Sequence, residues 1–418
     1  MYRKISAYLE TRKNSSHRKP LILQGARQVG KTYSLLEFGR THYDNVAYFN
    51  FETNPRLNET FEENISPDYL VPILSHIASQ TIVREKTLII FDEVQLCERA
   101  LTSLKYFCED APGYHIIVAG SLLGVAVNRD KFSFPVGKVD MKTLYPMDLE
   151  EFMLALGEHD LVQRIRECFQ TDSPLPSALH DAAMQLYRQY LVVGGMPECV
   201  LQFAETKDYI LVRHTQDTIL ASYLNDMSKY NTQNEIKKTR LTYDNITVQL
   251  SKKNTRFQYK LLKKGGRASE FENAIEWLTL SGIVSQVYKV EQIKKPLENY
   301  RDIDSFKIYV SDMGLLCAKK DLTANDILYM VEELNDFKGG MTENYVDIQL
   351  TINGYRTYYW ESPRGAEIDF IIQREGQLIP IEVKSADNTS GGWKPGTTLP
   401  PLCVLFPVPG ARSRPFYS

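Results

Sequence analysis

Eight consecutive residues, Gly25-Ala26-Arg27-Gln28-Val29-Gly30-Lys31-Thr32, have the spacing of a phosphate-binding loop. An apolar run, Pro20-Leu21-Ile22-Leu23-Gln24, precedes them and a helix-like run from Tyr33 follows, which is the strand–loop–helix context the motif requires. Gly25 and Gly30 allow the bends that turn successive N–H groups toward phosphate oxygens at the positive end of a helix. Lys31 can reach the outer phosphates, and the Thr32 hydroxyl can ligate Mg²⁺. Two acids complete the set. Thr87-Leu88-Ile89-Ile90-Phe91 reads as a strand buried on both faces, so Asp92-Glu93 mark where it emerges at the carboxyl edge of a parallel sheet. At that edge Asp92 is suited to hold the metal and Glu93 to polarise the water that attacks the γ-phosphate. The expected ligand is therefore a nucleoside triphosphate with Mg²⁺, and having both acids favours ATP hydrolysis over binding alone. A third apolar run, His115-Ile116-Ile117-Val118-Ala119, ends at Gly120-Ser121. Ser121 reads there either as a sensor of the γ-phosphate or as an ordinary helix N-cap.

A second set of chemistry-bearing residues lies near the end of the chain. Glu343 sits on a helical stretch over 342–350, a turn follows at Asn353-Gly354, and Tyr355-Arg356-Thr357-Tyr358-Tyr359-Trp360 reads as a strand. Ala366 to Ile372 and Leu378 to Lys384 then form a hairpin. With Glu375-Gly376 as a two-residue loop, paired positions sum to 751 and Asp369 faces Glu382. Lys384 shares the face of Glu382. Two facing carboxylates repel unless a cation lies between them, and oxygen ligands suit Mg²⁺. The other reading is a surface hairpin with alternating polar residues. Glu343, Asp369 and Glu382-x-Lys384 resemble a restriction-endonuclease-like site, which implies acids on a metal and a lysine near the attacking water. Residues 385–418 depart from that pattern, with six prolines, four glycines and no helical period. This domain is accordingly expected to be incomplete after 388, which makes cleavage doubtful.

The remaining sequence must position these two sets. A chain of 418 residues calls for two to four domains, and its 43% hydrophobic and 24% charged content describes a soluble globular protein. No apolar run approaches the roughly 20 residues that span a bilayer, and Met1-Tyr2-Arg3-Lys4-Ile5 is no signal-peptide core. The six cysteines are scattered, without a C-x-x-C pair, so reduced thiols and a cytoplasmic location are expected. The net charge of −3 is unevenly spread. Residues 237–267 hold ten basic residues against one acid, Asp244, a local +9 that suggests contact with DNA phosphates. Tyr243, Phe257 and Tyr259 are interleaved and would serve either for base stacking or as core. A solvated face or a protein-docking surface accounts for the same charge.

Four motifs, Gly25 to Thr32, Phe91-Asp92-Glu93-Val94-Gln95, Ala119-Gly120-Ser121-Leu122-Leu123 and Leu144-Tyr145-Pro146-Met147-Asp148, occur in this order. Together they resemble the bacterial and archaeal AAA-superfamily ATPases that carry a C-terminal domain of unknown function, over the chain up to about residue 388. The resemblance implies an α/β fold: a P-loop NTPase parallel sheet of five strands over 1–147, followed by a helical lid over 148–227. Gly194-Gly195-Met196-Pro197-Glu198 interrupts the lid, either packing near the nucleotide or making an interhelical turn. Helix, helix, strand, loop and strand over 228–320 resemble a winged helix. A truncated restriction-endonuclease-like α/β domain over 321–418 completes the expected organisation. Three functions fit: ATP hydrolysis coupled to engagement of DNA or a protein, a nucleotide-dependent regulatory switch, and an ATP-gated metal-dependent nuclease. Arg129 is a loop candidate for an arginine finger, a residue that often acts from a neighbouring subunit, so oligomerisation is left open.

Overall fold

The computed structural model describes residues 1–121, 135–228, 233–252 and 256–384. Arg129, Lys253 and the proline-rich tail fall outside them. The chain forms two compact units, one of Tyr2–Tyr145 with Leu280–Gly282, the other of Pro146–Thr279 with the residues from Ile283 onward.

In the first unit β1 (Leu21–Gly25), β2 (Asn45–Asn50), β3 (Thr87–Asp92), β4 (His115–Ser121) and β5 (Asp140–Thr143) form one sheet in the order β2-β3-β4-β1-β5. All four pairings are parallel, as the apolar strands required. β3 is buried along its whole length, which is why its sequence carries charge only at Asp92. Phe49, Phe51, Phe61 and Phe91 pack edge-on or tilted against one another with centroids 5.6–5.9 Å apart and fill one face of this sheet. β4 lies between β1 and β3, so the loop after β1 and the acids after β3 share the carboxyl edge one strand apart.

The second unit begins with five helices, Leu149–Ala155, His159–Gln170, Ser177–Val193, Pro197–Thr206 and Tyr209–Met227. Asp148 caps the first by accepting from the Glu151 N–H at 2.8 Å. At Gly194-Gly195 the backbone packing is close. A Cβ on Gly195 would lie 2.0 Å from the Met147 carbonyl oxygen, and the Met147 N–H donates to Gly195 O at 2.7 Å. The Gly195 N–H donates in turn to buried Asp312 at 2.5 Å. Within this unit the element is a turn whose residues must be small.

The two helices and two strands expected over 228–320 are present: Gln233–Leu250, Ala268–Leu280, β6 (Val284–Val290) and β7 (Arg301–Val310). They do not make a separate module. β6 pairs antiparallel with β7 on one side and parallel with β8 (Tyr358–Glu361) on the other. β8 continues antiparallel into β9 (Glu367–Arg374), and β9 into β10 (Gln377–Ile381). One five-stranded sheet, β10-β9-β8-β6-β7, therefore crosses the boundary expected at residue 320. Its cause is the β6–β8 ladder, formed by strands some 70 residues apart in sequence, which leaves β6 an interior strand. Helix Asn335–Ile352 is fastened to β7 by Asn344, which accepts from the Val310 N–H at 2.8 Å and donates to Val310 O at 2.9 Å.

Candidate nucleotide site and the C-terminal acidic cluster

The loop between β1 and helix Lys31–His42 has the backbone its glycines imply. Gly30 is left-handed at φ 86° and sits at the helix N-cap, and Gln28 is also left-handed at φ 64°. Gly25 is required for a different reason, since a Cβ there would lie 2.2 Å from the Leu144 carbonyl oxygen. The Leu144 N–H meanwhile donates to Gln24 O at 2.7 Å, so the segment after β5 fixes the end of β1.

Lys31 is buried, and its ammonium donates to the carbonyls of Ala26 at 2.8 Å and Gly25 at 3.1 Å. Burial lowers its pKa to about 8, against the pull of the nearby Glu93 and Asp92 carboxylates. The Thr32 hydroxyl donates to Asp92 Oδ2 at 2.7 Å, spanning the width of β4 and joining the two motifs. Asp92 Oδ2 also accepts from the Tyr48 hydroxyl at 2.7 Å, and its Oδ1 from the Glu93 N–H at 3.0 Å. Glu93 is left-handed at φ 53°, a conformation costing about 1–3 kcal/mol that is commonly held at functional sites. Its carboxylate accepts from Gln95 Nε2. Ser121 ends β4 beside Gly25 in the β1–β4 register. Ala26, Arg27, Gln28 and Val29 form the loop itself. A hydroxyl and a carboxylate meeting at one oxygen, beside a buried ammonium, fit a small hard cation bound together with a polyphosphate.

Two contributors here escape a motif search. Tyr48 looks like any aromatic in an apolar strand, and only its place on β2 next to β3 aims it at Asp92. Arg3 lies 4% exposed before the first helix, Ile5–Lys13. Its guanidinium donates to Val29 O inside the phosphate loop at 2.9 Å and to Tyr145 O at 2.7 Å.

The C-terminal residues are arranged differently from expectation. The hairpin register is the expected one, with Gln377 opposite Arg374 and Ile381 opposite Phe370, around a Glu375-Gly376 turn with both φ positive. Past Ile381, however, Asp369 Oδ2 accepts from the Val383 N–H at 2.7 Å, and Glu382 pairs with Lys384. The charges acting on Asp369 are instead those of Glu343, Lys307 and Glu367, and burial raises its pKa to about 6. Lys307, on β7, is 1% exposed and lies 3.1 Å from Glu343 Oε2 and 2.7 Å from Glu367 Oε1. Burial alone would lower its pKa, but the Glu343 and Glu367 carboxylates hold it above the ordinary value. Tyr309 donates to the same Glu343 oxygen at 2.7 Å. Among the described residues no three histidine, cysteine or acidic side chains are grouped to hold a metal ion. The acids expected on a metal do not fit one, since an ammonium sits among Glu343, Glu367 and Asp369 while Glu382 is turned to Lys384. The signal in the sequence was Lys307 itself, a lone lysine inside the apolar strand Phe306-Lys307-Ile308-Tyr309-Val310, which has to find an acid if it is buried.

A five-stranded parallel sheet with a glycine-bent loop on β1, an acid pair on β3 and a strand between them defines a P-loop NTPase. Residues 17–153 match the family model described as an AAA domain, in agreement with the P-loop fold of the first unit. Residues 184–326 and 338–392 match two domains of unknown function, DUF8612 and DUF4143. No protein of curated function matches the chain. Among solved structures, the Thermotoga maritima RuvB Holliday junction branch migration motor aligns over 68% of this chain and 87% of its own, at 14% identity and a TM-score of 0.30. Aeropyrum pernix ORC1 in complex with DNA aligns over 76% and 90%, at 12% identity and a TM-score of 0.28. Drosophila ORC bound to DNA aligns over 75% and 94%, at 13% identity and a TM-score of 0.29. No helix among the described residues is long and apolar enough to cross a membrane.

Proposed function

We propose that this chain binds ATP with Mg²⁺ at the carboxyl edge of the first sheet and hydrolyses it, coupling turnover to engagement of DNA. The observation that carries the reading is the 2.7 Å bond from Thr32 to Asp92, which joins the phosphate loop to the acid pair. In this reading the amides of 26–31 and the Lys31 ammonium bind the β- and γ-phosphates. Thr32 and Asp92 hold Mg²⁺, which when bound neutralises charge on the phosphate oxygens. Glu93, steadied by Gln95, orients the attacking water and takes its proton, and Ser121 hydrogen-bonds the γ-phosphate. Lys31→Ala is expected to abolish nucleotide binding, and Glu93→Gln to bind ATP but not turn it over. Hydrolysis by Glu93→Gln at the parent rate would refute the role given to Glu93.

Exposure of the basic residues supports DNA as the partner. Lys237, Arg240, Lys252, Arg256, Lys260, Lys263, Lys264 and Arg267 are exposed, although Lys263 pairs with Glu270 at 3.3 Å. Tyr243 and Phe257 are buried, the latter stacked on Phe306 with centroids 5.3 Å apart, which leaves half-buried Tyr259 as the stacking candidate. Phosphate contact without base readout is the interaction this surface suits. DNA retention should fall steeply with salt and ATPase rate should rise when DNA is added. Retention insensitive to salt would favour the regulatory switch with a protein partner.

A further inference from the structure

We propose that Lys307 is a resident cation in the C-terminal acidic cluster, filling the role that a divalent metal would have, so that this sheet carries a metal-independent site. The inference does not depend on the ATP reading. Its geometry is specific. The ammonium is reached from three directions: by Glu343 on helix Asn335–Ile352 at 3.1 Å, by Glu367 at the start of β9 at 2.7 Å, and by the face of Tyr359 on β8, whose ring centroid lies 5.2 Å away. Tyr309 uses the same Glu343 oxygen from the Lys307 strand, which leaves that oxygen shared by the lysine and the phenol.

The chemistry of replacement follows. Carboxylates converging on one point need a positive charge, and a buried ammonium supplies it without an ion from solution. A divalent cation entering this space would meet the ammonium at contact distance, and like charges this close in a largely buried setting repel strongly. Lys307 is also fixed by its strand: β7 pairs with β6 on either side of it, with Val287 opposite. That pairing fixes its backbone, and a side chain turned away from the acids would leave a buried charge without a partner. Glu382 and Lys384, the remaining members of the nuclease-like set, are paired with each other.

The test is Mn²⁺ binding to the full, nucleotide-free chain by electron paramagnetic resonance, with Asp92→Asn throughout to remove the P-loop carboxylate. With Lys307 intact, no Mn²⁺ that depends on Asp369 is expected, and added Mn²⁺ should not produce DNA cleavage. Lys307→Gln is expected to gain one bound Mn²⁺ per chain, lost again when Asp369→Asn is added. The proposal is overturned if the Lys307-intact chain binds Mn²⁺ and Asp369→Asn releases it, or if folded Lys307→Gln binds none. Should Lys307→Gln fail to fold, the comparison of Lys307-intact chains with and without Asp369→Asn still decides: no difference supports the resident cation, and a lost Mn²⁺ refutes it.

Discussion

Arg3→Ala would show whether the phosphate loop is held from outside its own motif. The guanidinium makes two bonds to main-chain carbonyls, Val29 at 2.9 Å and Tyr145 at 2.7 Å, from a side chain 4% exposed. A hydrogen bond from a charged donor contributes about 1.5–3 kcal/mol, and truncation leaves both acceptors without that donor. Water entering the vacated space recovers part of this, so the net loss should be about 3 kcal/mol. In a unit of this size each kcal/mol moves the melting temperature by about 3 °C, so the first unit should melt about 9 °C lower. Binding should suffer as well, because Val29 directly precedes the left-handed Gly30 that turns the loop into its helix. A loosened loop must be reordered by the ligand, and about 1.4 kcal/mol spent there weakens Kd about tenfold. Differential scanning fluorimetry and titration with a fluorescent ATP analogue read the two effects separately. Arg3→Lys should fall between, because a single ammonium cannot reach both carbonyls as the fork does. If Arg3→Ala melts with the parent and binds the analogue equally well, the bracing argument is wrong.

Two further outcomes are expected. Tyr48→Phe removes one of the donors to Asp92 Oδ2 and keeps Thr32 in place, so the loss should be about 1.5–3 kcal/mol of stability with turnover retained within about tenfold; an unchanged melting curve would contradict the contact. Asp312 is buried, and burial raises its pKa to about 6 against the pull of backbone N–H groups including those of Leu315 and Gly195. A carboxyl that protonates more readily when folded stabilises below its ordinary value near 3.8, and loses that contribution as pH rises to about 6. The span of about two units corresponds to about 3 kcal/mol. Asp312→Asn should therefore cost more at about pH 4.5 than at pH 7 in urea unfolding, and a cost that does not vary with pH would remove the assignment.

How much of this was legible depended on whether the information was local. The phosphate loop, the acid pair after β3 and the Glu375-Gly376 turn each lie within a few residues, and each has the local geometry that its residue types require. The hairpin register was readable because a two-residue turn fixes it arithmetically. The β6–β8 ladder was not, since no local pattern says which distant strand a half-buried strand such as β6 will accept. The same limit explains the second sheet's chemistry. The sequence places Asp369 opposite Glu382, yet apart from Glu367 on its own strand its neighbours in charge are contributed by β7 and helix Asn335–Ile352, elements assigned to different domains on sequence alone. Tyr48 and Arg3 escaped for the same reason, as their roles exist only through strand order and chain return.

The two buried lysines make the physical distinction between the sites. Lys31 and Lys307 are both taken out of water, at a cost that only a partner can offset. Around Lys31 the atoms in contact are the neutral carbonyls of Gly25 and Ala26, while the carboxylates of Asp92 and Glu93 act from further away. Burial consequently prevails and its pKa falls to about 8, a cation under-compensated by its surroundings. In the proposed function an arriving triphosphate would supply the missing charge, so that ligand binding and relief of that cost would be one event. Around Lys307 the atoms in contact are the carboxylates of Glu343 and Glu367, and the pKa moves the other way. That ammonium already has its counter-ions, and an added cation would find the acids engaged. One residue type thus prepares the first sheet to receive an anion and closes the second to a metal, because carbonyls meet it in one place and carboxylates in the other.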